Sequence, residues 1–336
     1  MNEPHTKTEY EEILKTYRLD TASGNERAKN EFRTHALKFP HRFAHLSNCV
    51  DCTGNALFNC KNVRDSFTAR KCEDVRYFES GNEIKDSYDL CTGGESSLCY
   101  EGLTPDNDYR ALFTIFSLKN QEVEYCQDCH SSKNLFGCIS IKKGEYYILN
   151  KQYSKEEHEA LVPRIRSQMM AEKSINDKYR EYGYGEFFPI ALSTFGYNET
   201  MAFEYYPLSR EEVLSRGWKW QDKVQFTSGK ETIKTADLPD SILDVPDSIS
   251  KEILACSTCQ RNYRIIPDKL TFYRKVGIPL PRQCFYCRNS ERLKLRNPYE
   301  LWDRICAKCG KNIVSSYSPD RLEIIYCEQC YNAEVA

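Results

Sequence analysis

Histidine is scarce in this chain: six in 336 residues, none of them in a Cys-His or Ser-His arrangement that would make it a catalytic base. A phosphate-binding glycine loop, a dinucleotide fingerprint and a zinc-hydrolase His pair are also missing, so no motif predicts chemistry on a substrate. Net charge is only −2, which provides no global field for nucleic acid or membrane. No basic, then apolar, then small stretch follows Met1. Apolar runs such as Ile115 to Leu118 or Met201 to Phe203 are far too short to span a bilayer. These absences predict a cytoplasmic protein whose thiols stay reduced.

Cysteine, by contrast, is abundant, at seventeen residues, an odd number that cannot pair completely. In a reducing compartment, clustered cysteines favour metal binding or packing. Eight of them form four Cys-x-x-Cys pairs. Cys256/Cys259 and Cys284/Cys287 stand 24 residues apart, and Cys306/Cys309 and Cys327/Cys330 stand 17 apart. Two knuckles at such spacing close on one tetrahedral ion, so two structural Zn2+ sites are expected, in ribbon or treble-clef-like modules. A site closed by four cysteines leaves no coordination position for substrate, which points to a non-enzymatic role.

The cysteines further upstream follow a different rule. Cys49, Cys60, Cys72 and Ile84 step by eleven or twelve residues, and Cys126-Gln-Asp-Cys129 with Leu135-Phe-Gly-Cys138 repeats Cys49-Val-Asp-Cys52 with Leu57-Phe-Asn-Cys60 after an apparent insertion. Short strands and turns at fixed period predict a β-solenoid with Cys, Ile and Val inside and Asn, Asp, Lys and Ser at the corners. The fold class expected is therefore mainly β with helical additions. Two readings of the solenoid cysteines stand: inward-packed thiols, or extra metal sites from His45, Cys49, Cys52 and Cys60 and from Cys126, Cys129, His130 and Cys138. Packing is preferred, because no second Cys-x-x-Cys closes either set.

The chain then partitions into a helical N-terminal cap (1–45), the solenoid (46–153), a helical and aromatic-rich connecting segment (154–250) and two ribbons (251–298 and 299–336). Gly24 is expected to interrupt the cap. Ser154 to Glu157 and Ser209 to Glu212 read as capping boxes, and Pro163 should kink or divide the helix that follows the first. The aromatics from Tyr179 to Trp220 are expected to pack irregular backbone rather than to stack bases. Asp237 to Ile253, with Pro239 and Pro246, reads as a linker.

From Lys251 onward fifteen Lys/Arg stand against nine Asp/Glu. Arg282, Arg288, Arg292, Lys294 and Arg296 form a basic strip; if Asn289 to Leu295 is helical, Arg288, Arg292 and Arg296 share a face, with Phe285 and Tyr286 beside them. The strip suggests RNA, DNA or a ribonucleoprotein as partner, or alternatively a solvated face. A protein-interaction adaptor using the solenoid and the aromatic segment is the competing reading. A solenoid-type transferase would need a hexapeptide repeat, which is missing.

Several of these residues carry a resemblance. Cys256-Ser-Thr-Cys259, Phe272-Tyr-Arg-Lys275, Gly277-Ile-Pro-Leu-Pro-Arg282 and Cys284-Phe-Tyr-Cys287-Arg288 resemble the probable zinc-ribbon domain of uncharacterised bacterial proteins. Cys306-Ala-Lys-Cys309-Gly310 and Tyr326-Cys327-Glu-Gln-Cys330-Tyr331 are similar to the ribbon that often follows it. Upstream, the Asn-Cys repeats, Ile148 to Glu157 and Tyr184 to Pro189 resemble a cysteine-rich solenoid family in which these ribbons recur. The resemblance implies fold and zinc but no activity. Relatives often carry ribbons before the solenoid, whereas no cysteine precedes residue 45 here, so the chain resembles a shortened version.

Overall fold

The computed structural model describes residues 4–172, 174–175, 181–222 and 226–335, and Tyr179 lies outside them. The chain divides into two compact units: Met1–His41 with Asp222–Asn297 and Leu322–Ile324, and Arg42–Gln221 with Pro298–Arg321 and Ile325–Ala336. The fold is mainly β with helical additions, and its largest part is a parallel β-solenoid within the second unit.

The solenoid is built on a three-residue rule. From Asn59 to Tyr146 every third residue has a positive φ, and only Gly137 among them is glycine. Each turns the chain through a corner, so four three-residue sides make one coil. The left-handed region costs an ordinary L-residue roughly 1–2 kcal/mol and suits Asn and Asp best. Accordingly Asn59, Asn62, Asp65, Asp74, Asp86, Asp89, Asn107, Asp128 and Asn134 occupy corners.

The residue after each corner points inward, as the buried series Leu57, Cys60, Val63, Ser66, Ala69, Cys72, Val75 and Phe78 illustrates. Successive coils pair in parallel twelve residues apart. One outward column runs Lys61, Glu73, Lys85, Ser97, Tyr109, Gln121, Lys133, Glu145 without a break. Only the first step is eleven, Leu46 pairing with Leu57. The expected insertion between two copies is therefore absent. The stretch consists of further coils whose inward residues, Gly93, Ser96, Gly102, Pro105 and Asp108, do not resemble a core.

Cysteine and serine alternate freely at inward positions because both perform the same two tasks. Each donates to the carbonyl two residues earlier: Cys72 Sγ to Arg70 O at 3.4 Å, Cys126 to Glu124 O at 3.2 Å, Ser66 Oγ to Arg64 O at 2.7 Å, Ser96 to Gly94 O at 2.7 Å. Each also accepts the inward-pointing amide one coil ahead, which the parallel ladder does not use. Ser96, Asp108, Asn120 and Ser132 form an unbroken chain of this kind, accepting from the amides of Asp108 (3.0 Å), Asn120 (2.7 Å), Ser132 (2.9 Å) and Gly144 (3.0 Å). Buried amides demand partners, and the side-chain ladder supplies them.

The parallel stack ends where Tyr147–Ile148 folds back on Lys151–Gln152. The first capping box, Ser154 to Glu157, then starts the helix Lys155–Ala171, which continues unbroken through Pro163. Its Leu161, Val162, Ile165 and Met169 pack with Tyr125, Phe136 and Ile148 of the solenoid wall. That packing holds the helix together where proline removes one hydrogen bond. Glu124, buried on the wall, accepts from Arg166 Nε at 3.1 Å and from Tyr184 Oη at 3.0 Å. The aromatic segment does pack here: Tyr184 lies 6.1 Å from Phe113, and Phe188 lies 5.9 Å from Tyr125.

In the first unit, the helices Lys7–Tyr17 and Ala22–Ala36 are separated at Arg18, the left-handed cap of the first, and Gly24 sits inside the second. A Cβ at Gly24 would stand 2.2 Å from the carbonyls of Tyr17 and Arg18, so glycine permits this close approach rather than interrupting the helix. Ser241 Oγ donates to Asp20 at 2.7 Å and the Ser23 amide to Asp240 at 3.0 Å. Leu238, Ile242, Val245 and Ile249 are buried with Leu254, Ile265, Leu270 and Leu280. The stretch Asp237 to Ile253 is thus packed core rather than a free linker: its apolar residues recur every three or four positions and cover the knuckle module.

Candidate metal centres and the basic strip

Both Cys-x-x-Cys sets assemble as the spacing predicts. In the first unit the Sγ atoms of Cys256, Cys259, Cys284 and Cys287 lie within 4.8 Å of one another, and in the second unit so do those of Cys306, Cys309, Cys327 and Cys330. Each first knuckle is a tight turn with a left-handed residue after its second cysteine. Gln260 (φ 58°) donates its amide to Cys256 O at 3.1 Å, and Gly310 (φ 74°) to Cys306 O at 3.0 Å. Each second knuckle opens a helix: Cys284 is the N-cap of Phe285–Leu293, and Cys327 immediately precedes Glu328–Val335. Hairpin knuckle and helix-start knuckle together give the treble-clef-like arrangement, and the helix N-termini favour thiolate.

Backbone amides prepare the sulfurs for ionisation. Burial opposes ionising Cys256, but the amides of Cys259, Cys284 and Thr258 outweigh it and bring the thiol down to about 6. At Cys306 burial is likewise outweighed by the amides of Cys327, Cys309 and Lys308, again to about 6. The Cys327 amide donates to Cys306 Sγ at 3.3 Å. Burial and the neighbouring thiols push Cys330 up to about 12, because four adjacent sulfurs cannot all ionise without a cation. Either group can hold a metal ion through four sulfurs.

The second group also anchors the start of the solenoid. Cys306, Ile313, Ile325 and Cys327 pack with Phe43. The Phe43 amide donates to Tyr326 O at 3.0 Å, and Ser315 Oγ donates to Phe43 O at 2.5 Å.

The solenoid cysteines behave otherwise. Cys49 and Cys52 donate to the carbonyls of Ser47 and Val50, and Cys60, Cys129 and Cys138 to those of Phe58, Gln127 and Phe136. Among the described residues they do not gather with His45 or His130 into a ligand group. His130 instead pairs on the outer wall with Asp128 at 3.0 Å, while Ser140 donates to the other Asp128 oxygen at 3.2 Å. The carboxylate stands between serine and histidine, so His130 is not placed to take the serine proton.

The basic strip is only partly available. Arg282 donates to the carbonyls of Thr235 (2.8 Å), Leu238 (3.1 Å) and Pro239 (2.9 Å), which makes it an internal tie. Lys294 pairs with Glu291 at 2.9 Å. The helix ends at Leu293, so Arg288 and Arg292 share its face, and Arg296 lies on the turn beyond. Phe285 and Tyr286 are 59% and 62% exposed on the knuckle. The Arg282 tie is invisible in local sequence, since its partners lie more than forty residues upstream.

No protein-family model matches the chain, and no curated protein matches it. Among the described residues no helix is long and apolar enough to cross a membrane.

Proposed function

We propose that the chain is a cytoplasmic, zinc-stabilised binding scaffold without catalytic activity, whose exposed knuckle helix Phe285–Leu293 contacts RNA or DNA. The observation that carries the zinc part is sulfur spacing. Four thiolates about 2.3 Å from a tetrahedral zinc are about 3.8 Å apart; Cys259 and Cys284 Sγ stand at 3.7 Å, and Cys309 and Cys327 Sγ at 3.8 Å. Zinc is the metal that four thiolates in tetrahedral geometry favour, and a closed site makes its role structural. The resemblance to probable zinc-ribbon proteins belongs to the same proposal.

The contact surface is the exposed Arg292 and the half-buried Arg288 on one helix face with Phe285 and Tyr286 at its start, a pairing of cations with exposed rings that suits phosphates and unstacked bases. Arg282 and Lys294 are set aside, since their charges already have partners. The test is retention of single-stranded RNA and DNA by the zinc-loaded protein across a salt series. Binding at low salt should weaken and lose salt dependence in the Arg288→Gln, Arg292→Gln double variant. No retention at low salt overturns the nucleic-acid part. The adaptor reading draws on the solenoid and the aromatic segment: Tyr88 and Tyr100, paired on neighbouring coils, and Phe195 and Tyr206 all stay exposed. It predicts pull-downs that survive nuclease treatment.

A further inference from the structure

Between the solenoid wall and the segment Tyr182–Pro189 lies a cavity of about 250 Å³. Its walls are the rings of Tyr125, Tyr182, Phe187 and Phe188 with the thioether of Met169, and the carboxyl-bearing side chains of Glu172 and Glu186 join them. The rings meet nearly at right angles: Phe188 stands at 84° to Tyr125 with centroids 5.9 Å apart, and at 84° to Phe187 at 5.3 Å. Rings packed edge to face in this way form one corner of an aromatic box.

The box is held rigidly. Tyr125 Oη accepts from the Gly185 amide at 3.0 Å and donates to Gly183 O at 3.3 Å, and its ring stacks on Phe113 at 4.6 Å. Glu124 fastens Arg166 and Tyr184 behind it. A ligand would therefore meet preformed walls.

The lining decides the ligand's chemistry. Ring faces carry negative potential and apolar surface, and among the described residues no lysine or arginine lines the cavity. Glu172, whose Oε1 takes a hydrogen bond from Gln168 at 3.1 Å, contributes a carboxylate. An anion would be repelled, and a neutral apolar group would leave the carboxylate unused. A methylated ammonium satisfies both, its methyls against the rings and its charge towards the acid. We propose that this cavity binds a methylated ammonium group, carried either by a small molecule such as choline or by a methylated lysine of another protein. The site is separate from the knuckle helix and does not depend on nucleic-acid binding.

The test is calorimetric titration of the zinc-loaded full chain with choline, with a trimethyllysine peptide, and with 3,3-dimethylbutan-1-ol, the uncharged isostere of choline. At least one of the two cations should bind saturably, and which one identifies the source of the group. The isostere should bind about tenfold more weakly than choline if choline is the ligand, because the cation–π attraction is lost. For the peptide the control is the same sequence with unmethylated lysine. Phe188→Leu should abolish the titration, and Glu172→Gln should weaken it severalfold with an unchanged thermal melt. The proposal is overturned if neither cation binds, if the neutral control matches the cation, or if Glu172→Gln leaves affinity intact.

Discussion

At several inward positions of the solenoid the side chain fills a narrow lumen and also satisfies an amide from the next coil. Cysteine and serine do both, which is why they exchange along the columns. Cys72→Ser should therefore cost under about 1 kcal/mol, whereas Cys72→Val, which fills the space without accepting or donating, should cost about 1–3 kcal/mol. Urea denaturation of the two variants checks the ranking. Asp108 performs the same task with a charge. It is 3% exposed, its Oδ1 accepts the Asn120 amide at 2.7 Å, and among the described residues its Oδ2 has no hydrogen-bond partner. Burial pushes its carboxyl up to about 6, above the ordinary carboxylate range. A folded-state value raised in this way favours the protonated fold, so the contribution is complete below about pH 4 and is lost as pH rises through 6. The loss is of order 3 kcal/mol. Asn120, one coil on, performs the same capping without charge, accepting the Ser132 amide at 2.9 Å. Asp108→Asn should thus raise the melting temperature at pH 8 and flatten its fall between pH 4 and 7; a steeper fall would refute the account.

At the scale of elements, legibility depended on whether a residue's partner lay nearby in sequence. Cys-x-x-Cys spacing is local, and all eight candidate ligands assembled as expected. The capping boxes at Ser154 and Ser209 are local too, and both formed. The solenoid period was visible where columns hold Cys, Val and Ile, as at Cys60, Cys72 and Ile84. It vanished through Gly93, Gly102, Pro105 and Asp108, because a two-class apolar and polar pattern cannot show a lumen filled by glycine and hydrogen-bonded acid. The three-residue corner rule was equally hidden, since residues such as Tyr77 and Phe113 occupy left-handed corners that glycine would ordinarily mark. In sequence Arg282 looks like part of a surface strip because its three carbonyl partners are distant. Its removal should therefore damage the knuckle module and not nucleic-acid contact. Arg282→Gln leaves those part-buried carbonyls short of donors and should destabilise the first unit by about 1–2 kcal/mol. Any remaining nucleic-acid binding should keep its salt slope, and a reduced slope with unchanged stability would return Arg282 to the contact surface.

Considered as a whole molecule, the protein places one four-cysteine group wholly within each unit, so a metal ion held by each would stabilise the two bodies separately. A structural zinc site contributes on the order of 10 kcal/mol to folding, more than the short hairpin and helix around Cys306–Cys330 could gain by burying their own apolar residues. That module packs Cys306, Ile313 and Ile325 around Phe43, and its strand Asn312–Ser315 lies against Gly54–Phe58 of the first complete coil. A solenoid needs its terminal coil covered, because the ladder groups there have no next coil to pair with. Metal at the second site should consequently protect a β-structure that holds no metal itself. Cys306→Ser should reduce zinc from two ions per chain to one by atomic absorption. It should also speed amide exchange at Leu57, Asn59 and Asn62 in the first coils, while exchange at Tyr125, Gly137 and Leu149 near the other end stays slow. Cys256→Ser should lose the same single ion and leave exchange throughout the solenoid unchanged. If both variants loosen the first coils equally, or neither does, the second metal centre is not the cap of the solenoid.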